Sequence, residues 1–185
     1  GKTTLLQCIA GLTDYKGLII PAYRNIGYVF QEARLFPYKN VIKNLLMVEN
    51  NPTKITELLK HFKAYDLTHK YPRQLSGGEK QRIAVIRAFL RDNELILMDE
   101  PFTALDYHLK QSLVEMIYEL YEKTAKTIIL VTHELDMALF LGHYIHVLSE
   151  KVTTLKETIE NPYVYQELNT ESVVLLNKLQ KLMKQ

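Results

Sequence analysis

The sequence predicts an α/β fold with a mostly parallel sheet, and three observations carry that prediction. Short apolar segments, such as residues 94–99 and 127–132, alternate with segments whose apolar residues recur at helical spacing. These strands are apolar without interruption, as is typical of strands covered by helices on both faces. Little room is left for hairpins between them, which favours parallel pairing through helical crossovers.

The elements follow from the apolar spacing and from the Gly and Pro positions between them. The predicted elements are a helix at 2–10 ending before Gly11, strands at 17–22 and 25–30, helices at 41–48 and 54–62, a loop at 71–78 feeding a helix with Ile83, Ile86 and Leu90, a strand at 94–99, a helix carrying Leu109 to Leu120, a strand at 127–132, a helix at 135–141, strands at 144–148 and 152–155, and a C-terminal helix at about 170–185.

Composition limits the class of protein. The chain has 185 residues, 47% of them hydrophobic, so we expect a single domain over residues 1–185. A net charge of +2 gives no basic stripe for nucleic acid, and the longest apolar runs are far too short to span a bilayer. Cys8 is the only cysteine, which excludes an intrachain disulfide and favours the cytosol.

The first four residues, Gly1-Lys2-Thr3-Thr4, match the end of a phosphate-binding loop. In such a loop backbone N–H groups and a helix N-terminus face the phosphates, Lys reaches the terminal phosphates and Thr binds magnesium. Four residues are also compatible with an ordinary helix start. Because residue 1 is not Met, we expect an upstream segment to have been lost.

Three further segments place polar groups after predicted strands. Asp99 and Glu100 end an apolar strand, where one carboxylate could hold magnesium and the other could polarise water. His133 follows the next strand and Gln31 an earlier one, so parallel pairing would bring all of them to one edge. A structural acid pair, a structural histidine and a surface glutamine are the alternatives.

A second phosphate-binding segment is predicted at residues 75–79. Gly77 and Gly78 at a helix start expose backbone N–H groups, and the Ser76 hydroxyl is a further donor. One domain would not place two such segments on one γ-phosphate. The spacing therefore predicts a nucleotide bound between two copies of the chain.

The order of these motifs along residues 1–150 resembles the nucleotide-binding subunits of ATP-binding cassette (ABC) transporters. The resemblance implies a P-loop NTPase fold with an ABC-type core, a helical signature subdomain at about residues 40–90, and ATP with Mg²⁺ as ligands. By that resemblance Thr3, Gln31 and Asp99 would bind magnesium, Glu100 would be the general base, His133 the switch histidine, and Asp106 the acid communicating across the dimer; the other nucleotide-binding residues would be Gly1, Lys2, Thr4, Ser76, Gly77, Gly78 and Glu79.

Two features depart from the family pattern. The glycine-rich front of the phosphate loop and the strand before it are missing, so we expect this chain alone to bind ATP poorly and to be inactive by itself. The stretch from Gly11 to Gln31 is also shorter than is usual in the family, which implies a trimmed β-subdomain.

Residues 31–38 and 40–44 resemble the corresponding region of nitrate, sulfonate and taurine importer ATPases. That resemblance implies a peripheral subunit at the cytoplasmic face of the membrane, working with permease subunits, a second ATPase subunit and, indirectly, an extracellular solute-binding protein. The segment could instead pack its own apolar residues. A soluble ABC ATPase acting mechanically on DNA or ribosomes is the alternative function, and a degraded non-catalytic remnant is a third. The sequence does not identify the transported solute.

Overall fold

The computed structural model describes residues 1–20, 23–103, 105–124, 126–149, 153–166 and 169–184. These residues form two compact units, one made of residues 18–129 and the other of residues 1–17 with 130–185. The elements in chain order are α1 (Lys2–Ile9), β1 (Ile26–Val29), α2 (Val41–Leu45), α3 (Pro52–His61), α4 (Gly77–Leu90), β2 (Leu95–Asp99), α5 (Tyr107–Thr124), β3 (Thr127–Val131), α6 (Leu135–Leu141), β4 (Tyr144–Leu148), β5 (Leu155–Glu160) and α7 (Thr170–Lys184).

A three-stranded sheet in the order β1-β2-β3 organises the unit of residues 18–129. β1 and β2 are parallel, with Ile26 level with Leu95 and Val29 level with Met98. All five residues of β2 are buried, as its uninterrupted apolar sequence predicted. The parallel pairing confirms the predicted sheet type at this pair of strands.

The helices of this unit supply most of its core. α4 buries nine of its residues, and α3 packs Ile55 and Leu59 inward. Single 3₁₀ turns at Tyr65–Leu67 and Pro72–Gln74 connect α3 to α4. The helices and turns between residues 40 and 90 are therefore the only regular elements described in that stretch, and its assignment as a separate subdomain stays a prediction.

The other unit contains an antiparallel hairpin formed by β4 and β5. Alternate residues of β4 point inward and pack with α6 and α7. The cluster at its centre comprises Leu139, Ile145, Val147, Ile159 and Leu179. The apolar stripe predicted on the C-terminal helix is thus used in part for packing within the chain.

Two strand predictions were wrong. Residues 17–20 form no strand, and Leu18 and Ile20 are 83% and 80% exposed, since β-propensity gives no strand without a partner to pair with. The strand expected at 152–155 runs instead from Leu155 to Glu160, where it pairs with β4 as a hairpin that we did not expect. Ala22 and Val152 lie outside the described residues.

No helix within the described ranges combines the length and the apolar character needed to cross a bilayer.

Candidate functional site

The carboxyl ends of β1 and β2 bring three of the predicted site residues to one edge of the sheet. Val29 and Met98 are the last level pair of the parallel register, Gln31 follows the end of β1 by two residues, and Asp99 ends β2 with Glu100 directly after it. Both chains therefore leave the sheet at the same edge. Asp99 is only 3% exposed, whereas Gln31 is exposed. This edge therefore presents a buried carboxylate, a half-buried carboxylate and an accessible amide.

Glu100 is held in an unusual backbone conformation. Its φ is 46°, in the left-handed region that non-glycine residues seldom adopt. The Thr103 hydroxyl lies 3.3 Å from both the Glu100 carbonyl oxygen and its carboxylate Oε2, and donates toward both. The turn after β2 thus fixes where this carboxylate points, and strain of this kind is typical of functional positions.

The start of α4 is a capping box. Ser76 Oγ accepts a hydrogen bond from the Glu79 amide at 3.1 Å, and Glu79 Oε2 accepts one from the Ser76 amide at 2.7 Å. These bonds, and above all the one from the Ser76 backbone, lower the pKa of Glu79. The start of the predicted signature segment is therefore held in shape by hydrogen bonds within the segment itself.

The two glycines of this segment serve different purposes. A Cβ at Gly78 would overlap Leu109 and crowd Leu105, whereas one at Gly77 would meet nothing within 4 Å. Gly78 is thus packed closely against the start of α5, and the Leu109 side chain would have to move to admit a Cβ there. Our reading of both glycines as phosphate donors did not include this steric role.

Asp106 caps the next helix. Its Oδ1 accepts a hydrogen bond from the Leu109 amide at 3.0 Å, just before the helix that packs on Gly78. Its predicted role across a dimer stays a prediction, and the neighbouring Ala104 lies outside the described residues.

The remaining predicted residues belong to the other unit. Gly1 is the N-cap of α1, and Lys2, Thr3 and Thr4 are exposed in its first turn. His133 is exposed two residues after β3 ends. The binding of one nucleotide by these residues together with the β2 carboxylates stays a prediction.

Two residues of α4 reach back to the segment that carries Gln31, and the sequence analysis missed both. Gln81 Nε2 donates to the Phe30 carbonyl at 3.1 Å, and Arg87 Nη1 donates to the Arg34 carbonyl at 2.7 Å. Burial lowers the pKa of Arg87. The signature helix is thereby tied to the backbone on either side of Gln31. The available signal was a polar Gln81 on the buried face of an apolar helix.

Asn44 organises the loop between Gln31 and α2, and the sequence analysis also missed this role. It is fully buried and accepts from the Phe36 amide at 2.7 Å while its Nδ2 donates to the carbonyls of Phe36, Lys39 and Asn40. The loop built in this way leaves Phe36 and Tyr38 exposed, the latter at 93%. This arrangement suits docking of an apolar partner surface better than self-packing, the alternative weighed above.

The donor set fits magnesium carried by a nucleotide better than a resident metal. The described residues contain no cluster of three or more His, Cys, Asp or Glu able to hold an ion. Magnesium in nucleotide sites is bound by one or two protein oxygen ligands together with phosphates and water. Asp99 and Gln31 supply oxygens of that kind at the sheet edge.

Comparison with known proteins agrees with this architecture. The family model described as "ABC transporter" matches residues 1–103. The aliphatic sulfonates import ATP-binding protein SsuB of Bacillus cereus is 36% identical over 96% of this chain and 76% of its own length. The protein of the same name from Granulibacter bethesdensis is 39% identical over 88% of this chain and 69% of its own.

A solved structure shares the fold. The ATP-binding cassette MJ0796, in a dimeric post-hydrolysis state bound to ADP and Pi, superposes with a TM-score of 0.72 at 24% identity over 91% of this chain and 82% of that one. The family match covers more than half of this chain, and the SsuB proteins align along most of it. The chain therefore belongs to the ABC transporter family, as one of its ATP-hydrolysing subunits.

Proposed function

We propose that this chain is the ATPase subunit of an importer for small anionic solutes of the sulfonate class, bound peripherally at the cytoplasmic face of the membrane. The observation that carries the proposal is the shared edge of the parallel sheet, where β1 leads to Gln31 and β2 leads to Asp99 and to Glu100 in its left-handed conformation. The SsuB relatives support import of sulfonates over the soluble mechanical class, which gains no support from them.

In this proposal Lys2 and the first turn of α1 hold the terminal phosphates of ATP. Thr3, Asp99 and Gln31 would hold the magnesium that accompanies ATP, which would supply positive charge against the phosphate oxygens. Glu100 accepts a proton from the water whose oxygen bonds to the γ-phosphorus, while the bond between that phosphorus and the bridging oxygen of ADP breaks. The carboxyl group then returns the proton to the released phosphate. His133 orients the γ-phosphate.

The second half of the proposal concerns partners. Ser76, Gly77 and Gly78 of one copy cover the ATP held by the other copy. The ties from Gln81 and Arg87 to the Gln31 segment support transmission of ATP binding to the loop of Phe36 and Tyr38. We assign that loop to the contact with a permease subunit, because its exposed aromatic residues would be covered there.

Replacement of Glu100 tests the catalytic assignment. In the assembled transporter Glu100→Gln should lower turnover by about 10² to 10⁴, the range expected for loss of a general base, and should trap an ATP-bound dimer. Glu94→Gln is the matched control, because Glu94 lies at the opposite end of β2 and accepts from the Arg24 amide. Unchanged turnover in Glu100→Gln would remove Glu100 from the catalytic role.

The dimer is tested with mixed complexes. A transporter with one wild-type and one Ser76→Ala subunit should lose hydrolysis at the site whose ATP lies on the wild-type Lys2, since Ser76 acts on its partner's nucleotide. Loss confined to the site on the mutant subunit itself would contradict the shared site.

The substrate class is tested by transport. Proteoliposomes holding the transporter, loaded with ATP and supplied with the binding protein, should take up an alkanesulfonate and not nitrate. Uptake of nitrate alone would overturn the sulfonate assignment and leave the importer assignment intact.

A further inference from the structure

Tyr28 lies on β1 beside the predicted magnesium ligand. In the parallel register Tyr28 is level with Leu97, and Asp99 lies two residues after Leu97 on the same face of β2, while Phe30 follows the end of β1. The side chains of Tyr28, Phe30 and Asp99 therefore share one face of the sheet. The Tyr28 and Phe30 rings stack with centroids 4.1 Å apart and planes 23° apart.

The stack is fixed at its outer end. The Arg34 guanidinium lies 3.8 Å from the centroid of the Phe30 ring, and Arg87 holds the Arg34 backbone. Stacking and the cation–π contact leave the Tyr28 ring little freedom to rotate away. The position of its hydroxyl is therefore set by residues on both sides of Gln31.

The Tyr28 hydroxyl is buried and has no hydrogen-bond partner within the described residues. A buried phenol without a partner costs free energy, and Tyr hydroxyls in protein interiors usually have one. Phe would fill the same space at no such cost. The hydroxyl thus calls for a polar ligand group.

The charges around the Tyr28 hydroxyl favour its protonated form. Burial and then the nearby Asp99 carboxylate raise the pKa of Tyr28, while Arg34 opposes them more weakly. The phenol is therefore protonated throughout the physiological range and is a hydrogen-bond donor. A donor on the same sheet face as the proposed magnesium ligand Asp99 suits an oxygen of the ion's hydration shell, because Mg²⁺ keeps several of its waters.

We propose that Tyr28 is a positioning residue for the magnesium of the bound nucleotide, with its hydroxyl donating a hydrogen bond to a magnesium-bound water that Asp99 also holds. The inference rests on the proposed function, because it requires magnesium and ATP at Asp99. It assigns to Tyr28 a contribution to magnesium binding and none to proton transfer.

The test compares nucleotide affinity with and without magnesium in Tyr28→Phe. Both proteins are assembled transporters that carry Glu100→Gln, so that ATP stays intact during equilibrium titration with a fluorescent ATP analogue. Tyr28→Phe should reduce the gain in affinity that magnesium brings by about tenfold, the loss expected for a hydrogen bond in a charged site. Its affinity in excess EDTA should equal that of the parent protein.

Tyr23→Phe is the matched control. The Tyr23 hydroxyl is bonded to Thr127 Oγ1 at 3.1 Å, at the amino-terminal end of β3. This variant should keep the full magnesium gain. Thermal unfolding without nucleotide completes the test, and Tyr28→Phe should be at least as stable as its parent, because it removes an unsatisfied group.

Two results separate the inference from the function on which it rests. If the parent protein gains no affinity from magnesium, the proposed function fails and the inference fails with it. If the parent shows the gain and Tyr28→Phe keeps it undiminished, only the inference on Tyr28 is overturned.

Discussion

Two helices of this chain begin at predicted phosphate-binding segments, and they begin in chemically different ways. At the start of α1 no side chain caps the first turn and no acidic residue lies in it, while Lys2 is present. At the start of α4 the Ser76–Glu79 capping box is complete and places a carboxylate in the first turn. Both N-termini carry the positive end of a helix dipole.

The difference shows where the free energy of phosphate binding should be concentrated. The carboxylate at α4 partly neutralises that N-terminus, and the capping box occupies the amides of Ser76 and Glu79. No hydrogen bond within the described ranges uses the amides of Gly77 and Gly78. We therefore expect α1 to supply attraction for phosphate and α4 to supply a rigid surface that fits it.

The largest expected effect is at α1. Lys2→Ala should weaken ATP binding about 10- to 100-fold, because it removes a charge-assisted hydrogen bond to phosphate. The matched control is Lys70→Ala, since Lys70 pairs with Glu79 near the start of α4 at 3.6 Å and should change the affinity less than about threefold. Equilibrium titration of the nucleotide measures both. Equal losses in the two variants would abolish the distinction between the helices.

Packing at the start of α4 should give the next largest effect. Gly78→Ala should lower the free energy of unfolding by about 1–3 kcal/mol, because its Cβ would overlap Leu109. Gly77→Ala, one residue earlier in open space, should be neutral or stabilising by up to about 1 kcal/mol. Urea unfolding measures the difference. Similar values for the two variants would show that the surface of α4 is not rigid.

Loss of the cap itself should have a smaller effect. Ser76→Ala should lower the free energy of unfolding by about 1 kcal/mol, since the Glu79 amide would lose its acceptor. Ser76→Asn keeps an acceptor at the cap and should recover most of that stability. The same urea experiment applies, and failure of Asn to recover any stability would exclude capping as the reason.

The smallest expected effect is a pH dependence. Hydrogen bonds from the Ser76 backbone hold the pKa of Glu79 below its ordinary value of 4.5. A lowered pKa in the folded state means that the stabilisation is fully present above about pH 4.5 and is lost as the pH falls through the folded value. Wild type should therefore lose more stability than Glu79→Gln between pH 6 and pH 3, by roughly 0.3–1 kcal/mol. Parallel pH profiles would contradict this.

Sequence reasoning was most reliable where apolar spacing was strong. α6 and β4 have the predicted bounds, and β2 begins one residue after the predicted start. It failed at residues 17–20 because a pattern of β-branched and aromatic residues cannot reveal whether a partner strand is available. The bounds of β5 were missed because most of its residues are exposed and form no apolar run. The strand is defined by its antiparallel pairing with β4, which the local sequence does not specify.

For the site, the sequence predicted the residue types and only part of their roles. It identified Asp99, Glu100, Gln31 and Ser76 from motifs. It missed Gln81 and Asn44, whose hydrogen-bond partners lie outside their own helices. It also missed Tyr28, whose hydroxyl has no hydrogen-bond partner among the described residues. A polar residue on the apolar face of a helix indicates a buried hydrogen bond, although only the folded structure identifies its partner.

The sequence by itself determined the family, the mostly parallel type of the sheet, and the strand end that carries the carboxylates, because these depend on motif order and apolar periodicity along the chain. Tertiary structure alone decided three further things: the left-handed conformation of Glu100, the close packing of Leu109 on Gly78, and the hydrogen bonds from α4 to the Gln31 segment. Each of these features depends on how residues that are distant in the sequence approach one another in the folded chain, or on the backbone conformation of a single residue. No local sequence pattern encodes either.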